Sequence, residues 1–180
     1  MNLLVSSMKE YSIENGLVDR ERLTSRSMPL ERYEQTHKGT VIVCHDVFVQ
    51  YHKGILLVRR ENEPAKGFLW PLGGRIQRGL TLSESLEKRV RKESNLELGE
   101  VVELGIARTY FQTDPFHHGK GTDSIIIVHW ARGYGELKLD KLHSHPHILT
   151  KKVYDNVRGN LHPYVVDFMD IIYRQKPLNR

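Results

Sequence analysis

A layered α/β sandwich is the fold class the sequence predicts, on three observations. Runs rich in β-branched residues alternate with helical patterns, one helix in mid-chain is signalled by its own cap, and an apolar helical segment follows the last strand pattern. A length of 180 residues suits one domain with a core of its own.

Taken in order, residues 1–32 are mixed in charge, and Ser6, Ser7, Asn15, Gly16, Ser25 and Ser27 argue against a long helix there. They read as an N-terminal arm or two short helices, with Pro29 ending whatever precedes it, and 33–180 as the single domain. Thr40–Cys44 and Val47–Val49 are β-rich, and after a polar turn Gly54–Arg60 makes a second strand. The loop Glu61–Phe68, with Pro64 and Gly67, leads into Leu69–Gly74. Thr81 and Glu84 have the spacing of a capping box, and Leu82, Leu86 and Val90 form an apolar seam, so a helix runs from there to about Asn95. Val101–Thr109 and Ser124–Trp130 read as strands flanking a polar loop that holds Asp114, His117 and His118. Leu137–Leu139, a His-rich loop and a helix over Tyr164–Tyr173 complete the pattern, with Val165, Phe168, Ile171 and Ile172 facing inward.

Composition narrows the class. With 39% hydrophobic and 27% charged residues the chain is neither a disordered tail nor a collagenous repeat, and the lone Cys44 rules out a disulfide scaffold. No run of 18 apolar residues occurs, so no membrane partner is expected; Met1–Val5 is too short for a signal segment, and the expected location is cytoplasmic. The net charge of +5 and pI near 9.3 suit a phosphate-rich ligand. The basic residues are dispersed and match no nucleic-acid motif, so nucleic acid is not the expected partner.

The chemistry gathers around Gly73-Gly74, which precede a helix N-terminus, a place suited to phosphate. On that helix Arg89, Lys92 and Glu93 share a face. A surface ion pair between Arg89 and Glu93 explains the spacing as simply as a binding site does.

The stretch Gly73–Leu96 resembles the Nudix box. Gly74 takes its glycine position, Val90 and Leu96 the aliphatic ones, and Glu93 its last glutamate. Leu80 stands at the first glutamate, Lys88 at the arginine, Arg89 and Lys92 at two metal-binding glutamates, and Asn95 at the second glycine. The flanking Arg59–Gly67 and Trp70–Gln77 are similar to the GDP-mannose mannosyl hydrolase branch of the Nudix superfamily, and the likeness extends over roughly residues 37–155.

The resemblance implies a Nudix-like α/β/α sandwich with a mixed sheet. It implies hydrolysis of a nucleoside diphosphate sugar such as GDP-mannose at the sugar C1–O bond, with Mg²⁺ or Mn²⁺, in a homodimer. Arg60 and Arg75 match the branch's diphosphate-contacting arginines, with Lys88 as a third. Its mobile loop with a general-base histidine falls on Leu142–His147, where His143 is the preferred base over His145 and His147, and Leu142 replaces a metal-holding glutamine. Glu93, the Gly74 carbonyl and Asp123 or Asp114 are the candidate metal ligands. Tyr110 and Phe111, with Trp70, are candidate base stackers; His129, alternating with Ile125 and Ile127, reads as a buried, hydrogen-bonded histidine.

Because Arg89 and Lys92 reverse the charge at ligand positions, a nucleotide diphosphate bound with little or no metal is also expected. Two other readings stand beside the hydrolase. One is a nucleoside diphosphate pyrophosphohydrolase, which needs more carboxylates than the helix supplies. The other is a catalytically silent Nudix-like nucleotide-binding or regulatory protein.

Overall fold

The computed structural model describes residues 9–11, 20–23 and 28–175. The elements run α1 (Arg20–Leu23), α2 (Leu30–Gly39), β1 (Ile42–Tyr51), β2 (Gly54–Arg60), β3 (Leu69–Trp70), β4 (Leu72–Arg75), α3 (Leu82–Ser94) and β5 (Glu97–Phe111). They continue with β6 (Thr122–Tyr134), β7 (His143–Leu149), α4 (Lys151–Val157) and α5 (Pro163–Gln175). Parts of the expected N-terminal arm, 1–8, 12–19 and 24–27, lie outside the described residues.

β1 is the hub. It pairs parallel with β6 and antiparallel with β2 and β4, and the main path of the sheet runs β3-β2-β1-β6-β5. The sheet is therefore mixed, and strand alternation divides its two faces. Val47 and Val49 join Leu56, Leu72, Leu86 and Val90 under α3, while Phe48 joins Trp130, Tyr154, Val165 and Met169 under α4 and α5. That is an α/β/α sandwich, and burying each large side chain contributes about 1.5–3 kcal/mol.

Local chemistry fixes the elements that carry the site. The Thr81 side chain accepts from the Glu84 N–H while Glu84 accepts from the Thr81 N–H, so the capping box forms and α3 starts where the sequence places it. Asn95 ends α3 in the left-handed conformation. The N-terminal segment lies against that cap: Glu10 accepts from the Leu82 N–H, and Arg20 pairs with Glu84 at 2.8 Å.

Two segments depart from the sequence expectation, and a third takes its shape from α3. Pro29 is the N-cap of α2, so that helix crosses the boundary expected after residue 32. The His-rich segment is not a loop: His143–Leu149 forms β7, antiparallel to β2, because its backbone can complete that edge of the sheet. Leu137–Leu139 belongs to an irregular segment docked on the end of α3, where the Lys138 and Asp140 N–H groups donate to the Ser94 and Glu93 carbonyls. Those bonds satisfy carbonyls that a helix end leaves without partners.

Candidate functional site

A cavity of about 320 Å³ opens where α2, β1 and the end of α3 meet. Its floor is the α5-facing side of the sheet, with Cys44 and Asp46 of β1, Ser124 and Ile126 of β6, and Thr109 and Phe111 of β5. Arg60, Arg75, Arg89, Glu93 and His143 line the cavity, together with Tyr33, His37 and Phe116.

Gly73 allows β4 to lie close against β1, and Gly74 leaves room for Arg89 of α3. A Cβ on Gly73 would collide with the His45 carbonyl and the Asp46 carboxylate, and one on Gly74 would press on the Arg89 guanidinium at 3.3 Å. Glu93 accepts from the Gly73 N–H at 3.0 Å and, on its other oxygen, from Arg89 at 3.4 Å. Arg89 also donates to the Arg75 carbonyl at 3.4 Å. Burial raises Glu93 to about 7, against the lowering pull of Arg89 and the Gly73 N–H.

The other polar groups are held with equal definition. Arg60 Nε donates to the Pro64 carbonyl at 2.8 Å, and the Arg75 guanidinium lies 4.1 Å over the Tyr33 ring. His143 Nδ1 is 2.7 Å from Asp140 Oδ1, which assigns the Nδ1 proton to that contact and leaves Nε2 as the acceptor. Burial lowers the His143 pKa, opposed by Asp140, so the imidazole is neutral near pH 7. Asp46 Oδ2 accepts from Tyr164 at 2.8 Å and Trp70 at 3.2 Å, and burial raises it to about 6. Burial pushes the Cys44 thiol up to about 12, which makes it a poor nucleophile.

No family model matches the sequence. The low-salt glycan biosynthesis protein Agl8 of Haloferax volcanii is 26% identical over 147 residues, 81% of this chain and 90% of that protein. Among solved structures, the MutT Nudix hydrolase from Burkholderia pseudomallei superposes with a TM-score of 0.60 at 16% identity, over 73% of this chain and 97% of that one. The Nudix domain of Shewanella oneidensis NrtR, solved with ADP-ribose, gives a TM-score of 0.55 at 14% identity, over 81% and 99%. This chain has the Nudix fold.

Within that fold the expected residues separate into two groups. Arg60, Arg75, Gly74, Glu93, Phe111 and His143 line one cavity, as does Trp70. Lys88 does not: Arg89, spaced i, i+4 from Glu93, takes the cavity face of α3, and Lys88 is exposed. Tyr110 is 69% exposed, because strand alternation sends it to the face opposite Phe111, where it lies beside Arg108. Asp123 shares that face, its two oxygens taken by Arg108 at 3.1 and 2.9 Å. Asp114 accepts from the Phe116, His118 and Gly119 N–H groups, so it orders its own loop instead of reaching a metal. His145 and His147 are exposed on β7 outside the cavity, which leaves His143 as the member of the trio within it. His129 is buried as expected, although its Nδ1 has no partner among the described residues.

Tyr33, His37 and Asp46 are cavity residues that the sequence reading passed over. Asp46 had a signal, a carboxylate inside an otherwise apolar strand; Tyr33 and His37 had only their i, i+4 spacing.

The divalent metal implied by the Nudix resemblance does not suit these side chains. Both Glu93 oxygens are engaged, Leu142 offers no donor, and Asp123 and Asp114 are committed elsewhere. Among the described residues no group of three His, Cys, Asp or Glu side chains is placed to hold a metal. A dication about 5 Å from the Arg89 guanidinium would be opposed by roughly 7 kcal/mol at an effective dielectric near 20.

Proposed function

We propose that the cavity hydrolyses a nucleoside diphosphate sugar at the sugar C1–O bond, GDP-mannose being the leading substrate. The observation that carries this reading is the meeting of a His143–Asp140 dyad with three arginines in one cavity that contains a single α3 carboxylate. Such a site is equipped to hold a diphosphate and accept a proton, and poorly equipped to cage metal for attack at phosphorus. Support also comes from the Agl8 relative, named for glycan biosynthesis, and from the ADP-ribose complex of the NrtR domain, a nucleoside diphosphate bearing a sugar.

In the proposed reaction Arg60 and Arg75 bind the diphosphate oxygens by forked, charge-assisted hydrogen bonds. His143 Nε2 takes a proton from water, whose oxygen bonds to the sugar C1. The C1–O bond to the β-phosphate breaks and its electron pair leaves with the nucleoside diphosphate, where the guanidinium groups stabilise the added charge. Asp140 keeps His143 in the tautomer that can accept this proton. Phe111 and Trp70 supply aromatic surface for the nucleotide.

Incubation with a panel of nucleoside diphosphate sugars, with products separated by ion-exchange chromatography, tests the reading. It predicts free sugar and nucleoside diphosphate. Sugar 1-phosphate with nucleoside monophosphate would contradict it, and tight binding without turnover would favour the nucleotide-binding alternative, which Arg89 at a ligand position also favours. The reading includes a homodimer, for which light scattering should return twice the 21.0 kDa chain mass.

A further inference from the structure

We infer that the Arg89 guanidinium stands in for the divalent cation in the cavity, so that the diphosphate is bound by guanidinium groups and binding requires no metal. The inference rests on the reading that this cavity takes a nucleoside diphosphate, and it adds which group neutralises the anion.

Four observations lead to it. Arg89 sits one helical turn before Glu93, and the two pair at 3.4 Å, so the carboxylate that would ligate a cation already holds one. The other Glu93 oxygen accepts from the Gly73 N–H at 3.0 Å, which takes up one of its two lone pairs. Gly74 leaves room for Arg89: a Cβ there would lie 3.3 Å from Arg89 Cζ, closer than ordinary contact, and its φ of +147° is one that side-chain-bearing residues rarely adopt. Arg89 lines the cavity together with Arg60 and Arg75, so three arginines border one space.

Chemistry supplies the rest. A guanidinium has five N–H donors, and Arg89 uses two of its nitrogens on Glu93 and the Arg75 carbonyl, leaving donors for phosphate oxygens. Glu93 and the Arg75 carbonyl fix its orientation before any ligand arrives, so little side-chain entropy is lost on binding. In this account Glu93 positions Arg89 and does not ligate metal.

Calorimetry with GDP and with inorganic pyrophosphate, in EDTA and in Mg²⁺, tests the inference. The parent chain should bind equally, within about threefold, in both buffers. Arg89→Gln should weaken binding about tenfold or more in both, and Arg89→Lys should retain part of it. Arg89→Glu, which places a second carboxylate beside Glu93, should bind only when Mg²⁺ is present. Parent binding that falls tenfold in EDTA, or an Arg89→Gln chain that binds like the parent, would overturn the inference while leaving the cavity's function standing. Failure of GDP and pyrophosphate to bind in either buffer would overturn the functional reading, and this inference with it. Should Arg89→Glu fail to fold by circular dichroism, the parent and Arg89→Gln comparisons decide the matter.

Discussion

Each of three residues in the cavity carries a separate test. Arg75→Ala removes one charged hydrogen-bonding group, so nucleotide affinity should drop by about 1.5–3 kcal/mol; unchanged affinity in calorimetry would place Arg75 outside the site. His143→Gln should lower turnover by about 10²–10⁴-fold with the melting temperature nearly unchanged. Because burial holds the His143 pKa below its ordinary value of 6.5, kcat/KM should stay flat near neutrality and fall on the acid side, at a pH below 6.5. Asp46 makes the opposite kind of prediction. Its folded pKa of about 6 lies above the ordinary 3.8, so the stability present below pH 3.8 is lost as pH rises through 6. Asp46→Asn does not titrate, and its stability relative to the parent should therefore improve by about 2–3 kcal/mol between pH 4 and pH 8 in urea unfolding. Parallel curves for the two chains would mean that Asp46 is not buried as described. Asp46 was visible in the sequence only as an anomaly, since its partners Trp70 and Tyr164 come from β3 and α5, far along the chain.

Elements with local signals were the legible ones. The capping box of α3 needs only Thr81 and Glu84, and Thr81→Ala should cost about 1 kcal/mol in thermal unfolding. Pro146 and three histidines give β7 no alternation, so the sequence alone predicts a loop there; only β2, distant in sequence, makes it a strand. α2 has no side-chain cap to signal it, and its docking depends on a tertiary clamp. His37 Nδ1 meets His118 Nε2 at 2.9 Å, and Asp114 orders the loop that carries His118. Burial, with the neighbouring His118, lowers the His37 pKa. The clamp's contribution is therefore complete above the ordinary pKa of 6.5 and is lost as pH falls through the lowered folded value. Hydrogen exchange, corrected for intrinsic rates, should show α2 losing protection between pH 7 and pH 5 while α3 keeps its own.

At the scale of the whole molecule, the fold could be read from alternation, one capped helix and the spacing of the Gly73–Leu96 segment. The candidate site was legible only through the Nudix resemblance, three of whose positions, Gly74, Glu93 and His143, line one cavity. It was illegible where strand parity decides, as with Tyr110 against Phe111, or where a partner consumes the group, as Arg108 does Asp123. Parity and partners are properties of the assembled sheet. No described helix is long and apolar enough to cross a membrane. The central claim is that water attacks carbon. Its most direct test is hydrolysis of GDP-mannose, and of a wider panel of nucleoside diphosphate sugars, in ¹⁸O-labelled water, with label position read by mass spectrometry. Label in the released sugar is the predicted result; label in a phosphate product would contradict it and assign the cavity to diphosphate cleavage.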